Sequence, residues 1–134
     1  MVRRLYVDAS CDYHNNVCGY AIVGDDIRKS GIVSCDVGKV NSGYCELCAV
    51  YQALQLINDN ERANIYTDNE GLVKLLRKDV CDKKNGRQNY NELLRIVHPF
   101  YHKLKNVRIY KINRKHNKIA DKLAKKALKG DYNV

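Results

Sequence analysis

The chain has 134 residues, enough for a buried core, and a single domain over 1–134 is expected. Its 45% hydrophobic and 29% charged residues exclude the composition of a disordered chain, and it lacks the apolar run of about 20 residues that a membrane-spanning helix needs. A net charge of +9 favours polyanionic partners without separating RNA, DNA and lipid surfaces.

Residues 4–8, rich in aromatic and β-branched side chains, predict a first strand, and the polar stretch 11–17 predicts a turn. Residues 18–23 run apolar as a second strand. After Gly24-Asp25-Asp26, residues 27–37 supply a third. Connections this short imply an antiparallel meander, because parallel neighbours need a longer crossover.

Asn41-Ser42-Gly43 suits a helix start, and Leu47, Val50, Tyr51, Leu54 and Ile57 then recur at helical spacing up to Asn58. Residues 63–67 read as a short strand ending at Asp68, followed by a helix carrying Leu72, Val73, Leu75 and Leu76. Lys83, Lys84 and Arg87 break the pattern. A third helix carries Leu93, Val97, Phe100, Tyr101 and Leu104, bent or split at Pro99. Residues 107–112 alternate as a strand, and Ile119, Ala120, Leu123, Ala124, Ala127 and Leu128 mark a last helix.

The predicted order is βββαβααβα, an α/β fold with a five-stranded mixed sheet flanked by helices. If the first strand points up, the meander brings the chain to the top before the first helix. The 63–67 and 107–112 strands then run up as well, parallel to the first. Sites in such sheets form at the carboxyl ends of the parallel strands. Asp8 and Asp68 are expected at strand ends there, Glu46 in the first turn of a helix, and Asp121 early in the last helix.

Taken singly, each acid has an ordinary explanation: Asp8 as a turn residue, Glu46 as an acid at a helix start, Asp68 as an N-cap, Asp121 in an ion pair with Lys118 or Lys125. Together at one edge they predict a cation site, because packed like charges raise each other's pKa until a cation compensates them. Oxygen-only ligands favour Mg²⁺ or Mn²⁺ over Zn²⁺. Two such ions about 4 Å apart suit phosphodiester hydrolysis, and the basic surroundings suit a nucleic-acid backbone.

Leu5-Tyr6-Val7-Asp8-Ala9-Ser10, Gly19-Tyr20-Ala21-Ile22-Val23, Glu46-Leu47-Cys48-Ala49, Ile65-Tyr66-Thr67-Asp68-Asn69 and Asn117-Lys118-Ile119-Ala120-Asp121-Lys122-Leu123-Ala124 together resemble the ribonuclease H type 1 family, in order and over nearly the whole chain. The resemblance implies a ribonuclease H fold and two Mg²⁺ ions, with Mn²⁺ as a substitute. It implies endonucleolytic cleavage of the RNA strand of RNA/DNA hybrids, leaving a 5′-phosphate and a 3′-hydroxyl. Asp8, Glu46, Asp68 and Asp121 match the family's four catalytic acids.

Recognition of the 2′-hydroxyl separates RNA from DNA, and the resemblance points to Ser10, Asn15, Asn16, Asn41 and Ser42 for it. Asn69 is a further candidate contact. Arg114, His116 and Asn117 precede the last acid by a short linker, which resembles the short-loop branch of the family; His116 is as readily structural as catalytic. Lys83, Lys84 and Arg87 stand where some members carry a larger basic protrusion. Lys115, Lys118, Lys122, Lys125, Lys126 and Lys129 offer a second basic surface along the last helix.

Six cysteines, in a chain whose opening residues show no signal-peptide h-region, are read as reduced thiols: Cys11, Cys18, Cys35, Cys45, Cys48 and Cys81. Cys45 and Cys48 form a C-x-x-C without a second pair and are assigned to packing. A cytoplasmic, monomeric endoribonuclease is expected, with no membrane and no obligate protein partner. Two alternatives remain: a module that binds hybrid or double-stranded RNA without cutting, and a nuclease of the same superfamily acting on DNA.

Overall fold

The computed structural model describes residues 2–34, 38–77, 103 and 105–130, with backbone alone for 74–77. The strands are β1 (Arg3–Asp12), β2 (Val17–Gly24), β3 (Arg28–Ser34), β4 (Ala63–Thr67) and β5 (Val107–Lys111). The described helices are α1 (Ser42–Gln55), α2 (Glu70–Arg77) and α3 (Lys118–Leu128), with a single 3₁₀ turn at Arg114–His116. The helix expected over 93–104 lies outside the described residues, Lys103 apart.

One mixed sheet forms in the order β3-β2-β1-β4-β5. β1 pairs antiparallel with β2, and β2 with β3, whereas β1, β4 and β5 run parallel, as the up-and-down argument requires. β1 corrects the sequence reading: it extends to Asp12, so Cys11 and Asp12 are strand, paired with Cys18 and Val17. The alternation explains this. Leu5, Val7, Ala9 and Cys11 pack on the α1 side, leaving positions 8, 10 and 12 polar on the other face. A strand that turns its polar residues to one side looks like a turn when read residue by residue.

Asn16 closes the hairpin at φ 55, a left-handed conformation that asparagine tolerates. Its side chain donates to the Gly38 carbonyl (2.8 Å) and accepts from the Val40 amide (2.7 Å), tying the hairpin to the approach to α1.

α1 buries Leu47, Val50 and Leu54 against Leu5, Val7, Ile22 and Ile65 in the main core. Buried Lys103 donates to the Leu54 and Ile57 carbonyls at the carboxyl end of α1 (3.0 and 2.6 Å), satisfying oxygens the helix leaves unpaired. On the opposite face, α3 approaches closely through Ala120, Ala124 and Ala127. Gly19 permits that approach, since a Cβ there would stand 2.4 Å from the Ala124 carbonyl oxygen. Ile119, expected on the apolar stripe, is instead 52% exposed, whereas Ala120, Ala124 and Ala127 are buried. Beyond α3, Tyr6, Tyr66 and Tyr110 stack across β1, β4 and β5.

Candidate active site

The sheet register brings the first two acids together. Arg3 faces Ala63 and Tyr6 faces Tyr66, so continuing the same register sets Asp8 level with Asp68 just beyond the last pair. Asp8 therefore lies inside β1 rather than at its end, but past its pairing with β4. Asp68 follows β4 directly, as expected. Glu46 enters from α1, whose N-cap is Asn41; Glu46, expected in the first turn, lies just past it. Carboxylate oxygens of Asp8, Glu46 and Asp68 lie within 4.8 Å of one another.

Asp8 is 3% exposed and Glu46 7%, and no lysine or arginine among the described residues forms an ion pair with either. Burial pushes Asp8 up to about 7, opposed by a hydrogen bond from Glu46 and assisted by the Asp68 charge. Burial first, then the Asp8 charge, pushes Glu46 up to about 10. In the absence of a cation, burial thus favours the protonated forms of Asp8 and Glu46. Two buried carboxylates and a half-buried third, with no ion-paired base among the described residues, would suit a hard divalent ion, which takes oxygen ligands and replaces protons.

Thr67, fully buried, donates from its hydroxyl to Glu46 Oε2 (3.5 Å) and accepts from the Asn69 amide (3.2 Å). Sequence reading named it within the strand-Thr-Asp motif but gave it no role. Its position between strand end and acid is the signal that was there to find.

Asp121 lies in the first turn of α3, close enough to Asp8 to help raise its pKa, but outside the three-acid group. Its Oδ2 accepts from Lys125 Nζ at 3.1 Å, one of the two ion pairs anticipated for it. Asn117 fixes this end of α3: fully buried, it donates from Nδ2 to the Val7 carbonyl at 2.8 Å, one residue before Asp8.

The remaining polar candidates divide by what their side chains hold. Asn41 caps α1 by accepting from the Tyr44 amide, and Asn69 accepts from the Leu72 amide at the start of α2. Asn15 donates to the Asp12 carboxylate, and Asn16 anchors the loop described above. Ser10 lies two positions after Asp8 on the same face of β1, and Ser42 is exposed at the first residue of α1. Arg114 and His116 are exposed in the 3₁₀ turn. His116 lines a cleft of about 360 Å³ with Tyr6, Lys115 and Lys118, so the fold sets it in the cleft wall and not among the acids. Lys83, Lys84 and Arg87 lie outside the described residues.

A family model described as RNase H matches residues 2–129. No curated protein matches the chain. Among solved structures, the RNase H1 of the halophilic archaeon Halobacterium salinarum is similar at 18% identity, with a TM-score of 0.71 over 98% of this chain and 100% of that one. LC11-RNase H1, isolated from compost, is similar at 20% identity with a TM-score of 0.75 over 96% of each chain. The same LC11-RNase H1 in complex with an RNA/DNA hybrid matches 96% of this chain and 97% of its own at 18% identity, TM-score 0.70. These likenesses establish the fold.

Proposed function

This chain belongs to the RNase H family, and we propose that as a ribonuclease H it cuts the RNA strand of RNA/DNA hybrids with divalent ions held by Asp8, Glu46 and Asp68, flanked by Asp121. The observation that carries this is the convergence of buried Asp8 and Glu46 with half-buried Asp68, none ion-paired to a base among the described residues. Two Mg²⁺ ions held by Asp8, Glu46 and Asp68 would supply a polarised water and charge stabilisation at the phosphate, with Mn²⁺ a chemically similar substitute. The products are a 5′-phosphate and a 3′-hydroxyl.

The chain's own residues do the positioning. Thr67 orients Glu46, Asn117 ties the Asp121 turn to β1, and the exposed lysines of α3 hold the phosphate backbone. Exposed Ser42, and Ser10 beside Asp8, are the candidate sensors of the 2′-hydroxyl. Only residues 112–117 connect β5 to α3, which supports the short-loop branch.

Hybrid, double-stranded RNA and double-stranded DNA, assayed side by side with Mg²⁺ and with excess chelator, test the reading. Metal-dependent loss of the hybrid's RNA strand is expected. Equal cleavage in chelator contradicts the carboxylate mechanism, and cleavage of duplex DNA alone favours the DNA-acting alternative.

A further inference from the structure

The C-x-x-C of α1 is not alone. Cys11 and Cys18 face each other across β1 and β2, and both turn toward α1, where Cys18 packs in the same core cluster as Cys45 and Cys48. Cys11 meets Cys45 most closely, with Sγ atoms 2.8 Å apart. All four are free thiols. A disulfide bond is about 2.05 Å long, so the two sulfurs must close by less than about 1 Å to join.

Access separates the four. Cys18 is fully buried and Cys45 and Cys48 nearly so, whereas Cys11 is partly exposed. An external disulfide therefore meets Cys11 first, and Cys45 is the thiol placed to resolve the product.

We propose that Cys11 and Cys45 form a specific, reversible disulfide site that links β1 to α1 beside the carboxylate group. The oxidant is a low-molecular-weight disulfide such as oxidised glutathione. Cys11 sulfur attacks one sulfur of it, breaking its S–S bond, and a mixed disulfide forms with release of one small thiol. Cys45 sulfur then attacks Cys11 sulfur, releasing the second. The protein pair loses two electrons and two protons, and the oxidant gains both as two thiols.

The link joins a position three residues after Asp8 to the residue before Glu46. It closes a separation of 34 positions in the chain, restricting the unfolded ensemble while leaving the folded contact in place. It also holds the two acid-bearing segments together when no cation does.

The test uses the full chain treated with oxidised glutathione in chelator at pH 8, followed by peptide mapping without reduction and by thermal unfolding. One Cys11–Cys45 link is expected, with an unfolding midpoint several degrees above that of the reduced protein. The shift should vanish in Cys11→Ser and, separately, in Cys45→Ala. A link between other cysteines, unlinked thiols after prolonged treatment, or a linked protein with an unchanged midpoint overturns the proposal. So does one zinc ion bound per reduced chain and lost in Cys18→Ser, which would make the four thiols a metal site instead.

Discussion

Glu46 and Asp121 are both acids near the start of a helix beside Asp8, yet their surroundings are opposite. Glu46 is buried, pushed up to about 10, and shares its site with two more acids. Asp121 has a third of its side chain exposed and pairs with Lys125 one turn along its own helix. The α1 end of the site thus depends on a cation from outside, while the α3 end carries a local one. Burial decides the difference, because water and a mobile lysine can serve an acid at the surface but not one under the sheet edge.

The largest test of that contrast is removal of a clustered acid. Asp8→Asn or Asp68→Asn should lower hybrid cleavage by more than about 100-fold, beyond the range of outer-sphere changes, while circular dichroism stays native. Asp121→Asn should cost less, about 10- to 100-fold, since three ligands remain. Equal losses at both ends would break the comparison.

Next in size is pH dependence without metal. Asp8 rises from 3.8 to about 7 and Glu46 from 4.5 to about 10 on folding. Between those values the folded chain keeps protons that the unfolded chain has lost, so in chelator the contribution of these acids falls as pH rises from about 4 towards 7 for Asp8, and on towards 10 for Glu46. Thermal midpoints in chelator should therefore decline from pH 5 to pH 8, with a shallower decline in Asp8→Asn. Added Mg²⁺ should raise the midpoint more at pH 8 than at pH 5.

A smaller effect belongs to the basic helix. Lys122→Glu with Lys126→Glu should weaken hybrid binding and flatten its salt dependence, measured by fluorescence anisotropy across salt concentrations. Affinity unchanged at every salt concentration would move the binding surface away from α3. Smallest of all, Lys125→Ala should alter stability by about 0.3–0.5 kcal/mol, the usual value of an exposed pair one turn apart.

The sequence made much of this site legible because its strands are short and their patterns local. The 63–67 strand ending at Asp68 and the parallel direction of β4 and β5 followed from alternation and connection length. What escaped it was set by long-range register. The extra length of β1 shows only when Cys11 is seen to face α1, and the partners of Cys45 lie across a hairpin that no spacing rule connects to it. The same holds for Asn16, Lys103 and Asn117, whose hydrogen bonds span 22 to 110 positions. Asn16 and Asn117 were expected to contact substrate, and tertiary contacts give all three structural roles.

Burial raises Asp8 to about 7 and Glu46 to about 10, so a divalent cation that binds between them must displace protons. Calorimetric titration with Mg²⁺ at pH 8, in two buffers of different ionisation enthalpy, measures binding and proton release together. Saturable binding with protons released is expected, both reduced in Asp8→Asn. Binding without proton release, or no binding in the native chain, would contradict it.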